Sequence, residues 1–282
     1  MRYAATMRID AHHHLWAYTA ESFGWIEPGS AIARDFDAED LVAAMDTAGV
    51  DRAVAVQARQ CDGETDFLLA CAERQPRIAG VVGWIDLRAA DIADRLEQRA
   101  GQSILGYRHV VQDEPDPDFL LGDAFVRGVG AVLARGLTYD ILVNAAQLGS
   151  LPRFLDRCGE GRLVLDHAAK PDIRAGAWHP WADQIAAAAQ HPDLFCKVSG
   201  LVTEADHAAW QLSDFERYLD HVFSRFGADR VLWGSDWPVC ALAGCYRDTF
   251  EIVEQFVARH CPEAATAVFG GNAIRAYALD LA

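Results

Sequence analysis

The sequence predicts a single (β/α)₈ barrel, and three observations lead to this fold class. The chain has 282 residues, a length that suits one large barrel. Eight short apolar runs rich in β-branched residues occur along it, separated by longer Ala- and Leu-rich segments with helical spacing. No linker, low-complexity segment or strong repeat marks a second domain, so we expect residues 1–282 to form one domain.

Each predicted strand is followed by enough chain to form a helix, the pattern of repeated βα units. Several strands are almost continuously apolar, as parallel strands buried on both faces are. An open doubly wound sheet should have a Gly-rich turn after its first strand, whereas here the histidines at 12–14 follow. The predicted strands span residues 8–12, 52–58, 78–85, 104–110, 138–144, 162–167, 194–200 and 230–235.

The intervening helices are predicted from apolar residues recurring every three or four positions. Asp37 and Ser213 are candidate start signals, and Gly49 and Gly227 are candidate stop signals. The clearest predicted helices span residues 38–49, 65–75, 150–158 and 212–227.

Composition excludes several classes of function. The formal net charge of −16 would repel nucleic-acid phosphates and anionic membranes. No segment approaches the roughly 18 consecutive apolar residues of a membrane helix, and the opening six residues lack the apolar core of a secretory signal. Seven scattered cysteines without a C-x-x-C pair fit reduced thiols. We therefore expect a cytoplasmic protein, either a monomer or a small homo-oligomer.

The end of the first strand is the first candidate site. Side chains alternate along a strand, so Asp10, His12 and His14 should share one face and His13 the other. Two imidazoles at this spacing can converge on one divalent ion, and a carboxylate can complete the set. An H-x-H pattern alone is weak, because such histidines are often structural.

Three further strand ends carry polar residues, and barrel enzymes place their active sites at these ends. His167 follows the sixth strand, and Asp236 follows the eighth in a Gly-Ser-Asp-Trp-Pro segment. At the fourth strand either Arg108 or His109 faces inward, depending on register. Arg108 is the better candidate for a substrate carboxylate or carbonyl oxygen, because a guanidinium binds such oxygens in fixed geometry. Each residue alone has a structural explanation, but their joint occurrence favours catalysis.

Several other side chains are candidates for substrate binding. Trp25 and Trp237 could form an apolar face of a substrate pocket, although core packing explains them equally well. Gln57 and Asn144 could bind substrate hydroxyls. Glu64 and Lys197 could do the same or could be members of structural ion pairs.

The chain resembles the amidohydrolase superfamily, specifically its branch of sugar lactonases that includes L-fuconolactonases and L-rhamnonolactonases. The resemblance covers essentially the whole chain. The resemblance rests on seven motifs: IDAHHHLW (9–16), VQARQCDGETDFLLACA (56–72), GYRHVVQDE (106–114), LDHAAKPDI (165–173), CKVSGLVTEA (196–205), GSDWPV (234–239) and GGNAIRAY (270–277). GSDWP and GGNA are widespread in the superfamily, whereas the combination of all seven motifs is specific.

This resemblance implies hydrolysis of a small-molecule sugar lactone, L-fuconolactone or a related L-sugar lactone. Asp236 is then the general base that activates water, and His12, His14 and His167 line the metal or carbonyl site. His167 would orient the carbonyl or protonate the leaving oxygen. The cofactor is one divalent ion, zinc, bound by His12, His14 and Asp236.

The chain departs from many superfamily members at its fifth strand, which ends without a histidine at residues 143–145. A two-metal centre is therefore not expected. Some lactonases of this branch work without metal, so the requirement for the ion stays open. Amide hydrolysis, dicarboxylate lactone hydrolysis and metal-dependent decarboxylation remain alternatives, as does a non-catalytic protein that kept the barrel.

Overall fold

The computed structural model describes residues 7–281, and they form the predicted barrel. Its strands are β1 Ile9–His13, β2 Arg52–Val56, β3 Ile78–Gly83, β4 Ile104–Val110, β5 Thr138–Leu142, β6 Leu163–Leu165, β7 Leu194–Val198 and β8 Val231–Trp233. They pair in chain order, each parallel to the next. The predicted (β/α)₈ fold class is thus confirmed.

The eighth strand returns to the first just beyond its own end. The Asp236 amide donates to the His12 carbonyl at 2.8 Å, and the His14 amide donates to the Trp237 carbonyl at 2.6 Å. His13 and Trp237 form a parallel bridge. These contacts nearly close the barrel and hold the carboxyl ends of β1 and β8 together.

Nine α-helices connect or follow the strands within the described residues. They are α1 Ala38–Ala48, α2 Asp62–Arg74, α3 Ile92–Gln98, α4 Asp123–Leu133, α5 Leu151–Cys158, α6 Trp181–Ala188, α7 Leu212–Phe226, α8 Tyr246–His260 and α9 Asn272–Tyr277. Short 3₁₀ turns cover Val111–Asp113, Phe119–Leu121, Leu148–Ser150, Asp166–Ala169, Leu201–Glu204, Val239–Leu242 and Pro262–Ala264, and a π-helical turn covers Ala267–Gly271.

Helix ends follow the local sequence signals with one difference. The Asp37 side chain accepts hydrogen bonds from the Glu39 and Asp40 amides at the start of α1, and Gly49 ends that helix with a left-handed φ of 62°. Helix α7 begins with reciprocal bonds between Gln211 and Asp214 rather than with Ser213, which lies in its first turn.

The barrel interior is apolar at its amino-terminal end and charged above that. Thr138, the first residue of β5, donates its hydroxyl proton to the Ala276 carbonyl, so α9 lies across this end. The apolar layer comprises Ile9, Ala11, Val54, Val56, Val82, Val164 and Leu232, packed against Ala273, Ala276, Tyr277 and Leu279. A larger apolar core fills the space between strands and outer helices. None of the helices within residues 7–281 has the length and hydropathy to span a bilayer.

Candidate active site

His12 and His14 lie together at the carboxyl end of β1, with their Nε2 atoms 3.2 Å apart. The pairing of β1 with β2 shifts register between Asp10 and His13, so simple alternation does not hold. Asp10 does not join the two histidines. Its carboxylate instead accepts hydrogen bonds from the Ser235 amide at 2.8 Å, the Ser235 hydroxyl at 2.6 Å and the Tyr246 hydroxyl at 2.9 Å. Burial raises the pKa of Asp10 to about 6, although these hydrogen bonds oppose the shift.

His12, His14 and Asp236 form a compact group at the carboxyl end of the barrel. The two Nε2 atoms lie 3.2 Å apart, and Asp236 Oδ1 lies 3.3 Å from His14 Nε2 and 3.7 Å from His12 Nε2. His14 Nδ1 lies 2.8 Å from the Val56 carbonyl, which can only accept, so this nitrogen carries a proton. In the neutral ring the Nε2 lone pair of His14 is then directed at the group, where a cation can bind.

His167 joins this group from the end of β6. Its ring centroid lies 4.6 Å from that of His12, and its Nδ1 lies 2.9 Å from the Ser199 hydroxyl. His167 and Asp236 both have left-handed backbone, with φ of 54° and 55°. Such conformations cost energy in non-glycine residues and concentrate at functional sites, where the surrounding structure imposes them.

Gly200 allows His167 and Asp236 to approach each other. Its φ is 63°, and a Cβ atom there would lie 2.8 Å from both Asp236 Oδ2 and His167 Nδ1. Any side chain at this position would displace one of the two groups, so the site requires glycine there. Gly200 was not among the predicted site residues, although its place at the carboxyl end of the predicted strand 194–200 was a usable signal.

Burial and neighbouring side chains set the protonation states of the carboxylate and the imidazoles in this group. Burial is the main cause that lowers the pKa of His167 to about 4, and it holds the pKa of His12 well below its usual range. Burial alone would raise the pKa of Asp236, but His167, His14 and His12 hold it well below its ordinary value. At neutral pH the group therefore contains the ionised Asp236 carboxylate beside the uncharged imidazoles of His12 and His167.

The donor atoms of this group fit one divalent ion. One ligand atom from each of His12, His167 and Asp236 lies within 4.8 Å of the others, and all three side chains are buried. Imidazole nitrogen with one carboxylate oxygen is the set that catalytic zinc sites use. His12 Nε2 faces this group, whereas its Nδ1 lies 3.1 Å from Lys197 Nζ and 3.4 Å from Asp166 Oδ1.

A second set of charged residues lies below this group and includes Arg108. The Arg108 guanidinium donates to Asp166 Oδ2 at 3.0 Å and to the Gln57 carbonyl, and it approaches His12 Nε2 at 3.2 Å. Lys197 Nζ donates to Asp140 Oδ2 at 2.6 Å. We call Asp140, Asp166, Lys197 and Arg108 the lower charged cluster.

A pocket of about 450 Å³ opens directly onto the histidine and aspartate group. Arg108 and Trp25 also line it, and Trp25 is 49% exposed at the rim. Basic and amide side chains complete much of its wall: Arg59, Gln60, Gln112 and Lys170. The Oε1 atom of Gln112 is buried without a hydrogen-bond partner among residues 7–281.

The remaining residues predicted for substrate binding lie elsewhere, and none is among the residues that line the pocket. His109 stacks on Phe119 and bonds to Glu114 at 2.6 Å. Gln57 is buried and donates to the Arg108 carbonyl.

Asn144 and Trp237 contact neighbouring chain segments instead of the pocket. The Asn144 side chain accepts from the amides of residues 146 and 147 within its own loop. Trp237 is 7% exposed and packs edge-on against Phe36. Substrate contacts for these residues would need a rearrangement of the pocket wall.

Sequence reasoning missed Asp140, Asp166 and Ser199. Asp140 interrupts an otherwise apolar strand, and Asp166 directly precedes His167, so both offered a signal. Ser199 lies two positions beyond Lys197 in the predicted strand 194–200, where alternation could have indicated it. Glu64 pairs with Arg59 at 2.9 Å, which fits the structural reading that was left open.

Known proteins that are similar to this chain identify its family. The amidohydrolase family model matches residues 9–279. L-fucono-1,5-lactonases of Burkholderia multivorans and Burkholderia ambifaria are 40% and 39% identical, covering 97% and 98% of this chain and 96% and 97% of their own. A crystal structure of a Burkholderia multivorans amidohydrolase with bound zinc is 40% identical, with a TM-score of 0.93 over 97% of this chain and all of that one. The chain therefore belongs to the amidohydrolase family, as its motifs predicted.

Proposed function

We propose that this enzyme hydrolyses the ring ester of an L-sugar lactone, with L-fucono-1,5-lactone as the first candidate, and releases the aldonic acid. The observation that carries the proposal is the ionised carboxylate of Asp236 among buried imidazoles at the base of a pocket of sugar-sized volume. The two lactonases that match nearly the whole chain supply the substrate class. The matching length supports one domain, residues 1–282.

The same proposal assigns one divalent ion to the site, with zinc favoured by the related crystal structure. His12, His14 and Asp236 would hold it, and His167 lies next to them. When bound, such an ion would polarise the lactone carbonyl and make an attacking water more acidic.

The residues of the chain then perform the remaining steps. Asp236 accepts the proton of the attacking water. Because its pKa is low, it is a weak base and depends on that water being acidified. His167 is uncharged at neutral pH, so it can act as an acid only after it has received the proton that Asp236 takes from water. Its Nε2, the ring nitrogen that is not bonded to Ser199, then passes that proton to the departing ring oxygen. The Arg108 guanidinium, lining the pocket, stabilises negative charge on the carbonyl oxygen.

The cellular setting follows from the proposed reaction and the composition. Opening a sugar lactone is a step of carbohydrate breakdown, and seven free cysteines fit a reducing compartment. We place the enzyme in the cytoplasm as a monomer or small homo-oligomer, with a small-molecule substrate and no nucleic-acid or membrane partner.

A lactone panel with metal analysis on the same sample tests the proposal. Acid release from L-fucono-1,5-lactone should exceed the enzyme-free background by the largest factor, with the D-enantiomer as the matched comparison. No acid release from any aldonolactone would refute the proposed reaction. Removal of zinc by a chelator should abolish most of the activity, and full activity in metal-free protein would remove the ion from the mechanism.

A further inference from the structure

A second group of metal-binding side chains lies one layer further into the barrel than the first. His12, Asp140 and Asp166 each offer one ligand atom, and these atoms lie within 4.8 Å of one another. All three side chains are fully buried. Two carboxylates and an imidazole are ligands that divalent ions take in proteins. By donor chemistry alone, this is a second cation position.

The Lys197 side chain fills this position. Its Nζ atom lies 2.6 Å from Asp140 Oδ2, 2.9 Å from Asp166 Oδ1 and 3.1 Å from His12 Nδ1, so it contacts the same three residues that could hold an ion. Lys197 is 0% exposed. A lysine is almost never buried this completely unless opposite charge compensates it.

The charges of the lower charged cluster balance without any further ion. Arg108 donates to the other oxygen of Asp166 at 3.0 Å, so two cationic side chains face two carboxylates. The Tyr277 hydroxyl, from α9, donates to Asp140 Oδ2 at 2.8 Å and completes the set. An additional divalent ion would leave uncompensated positive charge in a buried site, which is costly.

We propose that the Lys197 ammonium group is the resident cation of this lower position, and that it restricts the barrel to the single ion position at the pocket. Lys197 thereby also positions His12. Its Nζ atom and Asp166 Oδ1 both face His12 Nδ1, at 3.1 Å and 3.4 Å, so the ring is held with its Nε2 directed at the upper group.

Truncation of Lys197 tests this inference by counting ions. Lys197→Ala opens a void between two carboxylates and an imidazole, so it should bind one more divalent ion per chain than the wild type when both are loaded with zinc and freed of excess. Elemental analysis gives the count, and cobalt substitution should add a second set of visible absorption bands. The readout is the difference between the two proteins, so it does not depend on lactone hydrolysis or on how many ions the wild type binds.

Two control variants separate the proposed role from a general effect of the substitution. Lys197→Met keeps the volume without the charge, so it should gain no ion because the void stays filled. The double variant D140N/K197A lacks one of the carboxylate ligands and should also gain none.

The result also decides between a cation position and a merely structural lysine. A folded Lys197→Ala that binds the same number of ions as the wild type overturns the proposal. If the variant unfolds without added cation, zinc or ethylammonium should restore its native circular dichroism. A chain that remains unfolded with both cations contradicts the proposal as well, because a vacant cation position should accept one of them.

Discussion

Replacing Asp236 by Asn is the sharpest test of the proposed chemistry. The change removes the negative charge and the proton acceptor while keeping the shape of the side chain. It also respects the backbone, since Asp236 has a φ of 55° and asparagine, like aspartate, tolerates left-handed conformations. Alanine would add backbone strain to the loss of the base, so it is the poorer choice.

The expected loss follows from the role of the carboxylate. A positioned general base contributes about 10²–10⁴ in rate, which corresponds to about 3–5 kcal/mol of transition-state stabilisation. Asp236 Oδ1 also lies 3.3 Å from His14 Nε2, so the substitution can weaken metal binding. The turnover number should therefore fall by at least two orders of magnitude even when zinc is saturating.

The assay is steady-state hydrolysis of the best lactone, with zinc content measured on each sample. Asp220→Asn on the exposed face of α7 is the matched control for the charge change and should behave as wild type. A D236N enzyme with full zinc content that keeps its turnover number within about tenfold of wild type would refute the base assignment.

Two further predictions concern stability. Burial lowers the pKa of His13 to about 3, so the unfolded chain takes up a proton that the folded chain refuses, and stability should fall as pH drops from about 6.5 to about 3. The resulting loss in the free energy of unfolding amounts to about 5 kcal/mol at most. His13→Leu should make the free energy of unfolding depend less on pH, measured by denaturant titration of chelator-treated protein at several pH values. An unchanged pH dependence would contradict the assignment to His13. Tyr277→Phe removes the 2.8 Å hydrogen bond to Asp140 and should lower the free energy of unfolding by about 1.5–3 kcal/mol with little change in turnover, whereas a loss below about 0.5 kcal/mol would mean that Lys197 alone suffices for Asp140.

Local sequence patterns were sufficient for the fold and for the central residues of the site. Strand β4 was predicted with its observed bounds, and the other strands differ by a few residues at their ends. This worked because apolar periodicity is a local property, and because a barrel gathers the carboxyl ends of its strands at one mouth. His12, His14, His167 and Asp236 were therefore brought together without knowledge of any loop conformation.

Side-chain direction and long-range pairing were harder to predict. The register of β4, in which Arg108 lies opposite Asp140, decides that Arg108 and not His109 enters the barrel, and the sequence left that choice open. After the register shift in β1, the Asp10 carboxylate bonds to Ser235 and Tyr246 and not to the His12 imidazole, although strict alternation would place the two side chains together. Lys197 and Asp140 are 57 positions apart, and no local pattern relates two such residues. The direction of the Asn144 side chain could not be predicted either, because its hydrogen bonds depend on the conformation of its loop.

The hydrogen bonds of Asp10 have a consequence for how the chain is made. Asp10 accepts from Ser235 and Tyr246, residues 225 and 236 positions later, so the seam between β1 and β8 cannot close until the segment after β8 has left the ribosome. Until then β1 presents an open edge, and unpaired edges invite association with other chains. Contacts this distant in sequence also slow folding. During synthesis, the first strand of the barrel is therefore the one that remains without its second neighbouring strand for the longest time.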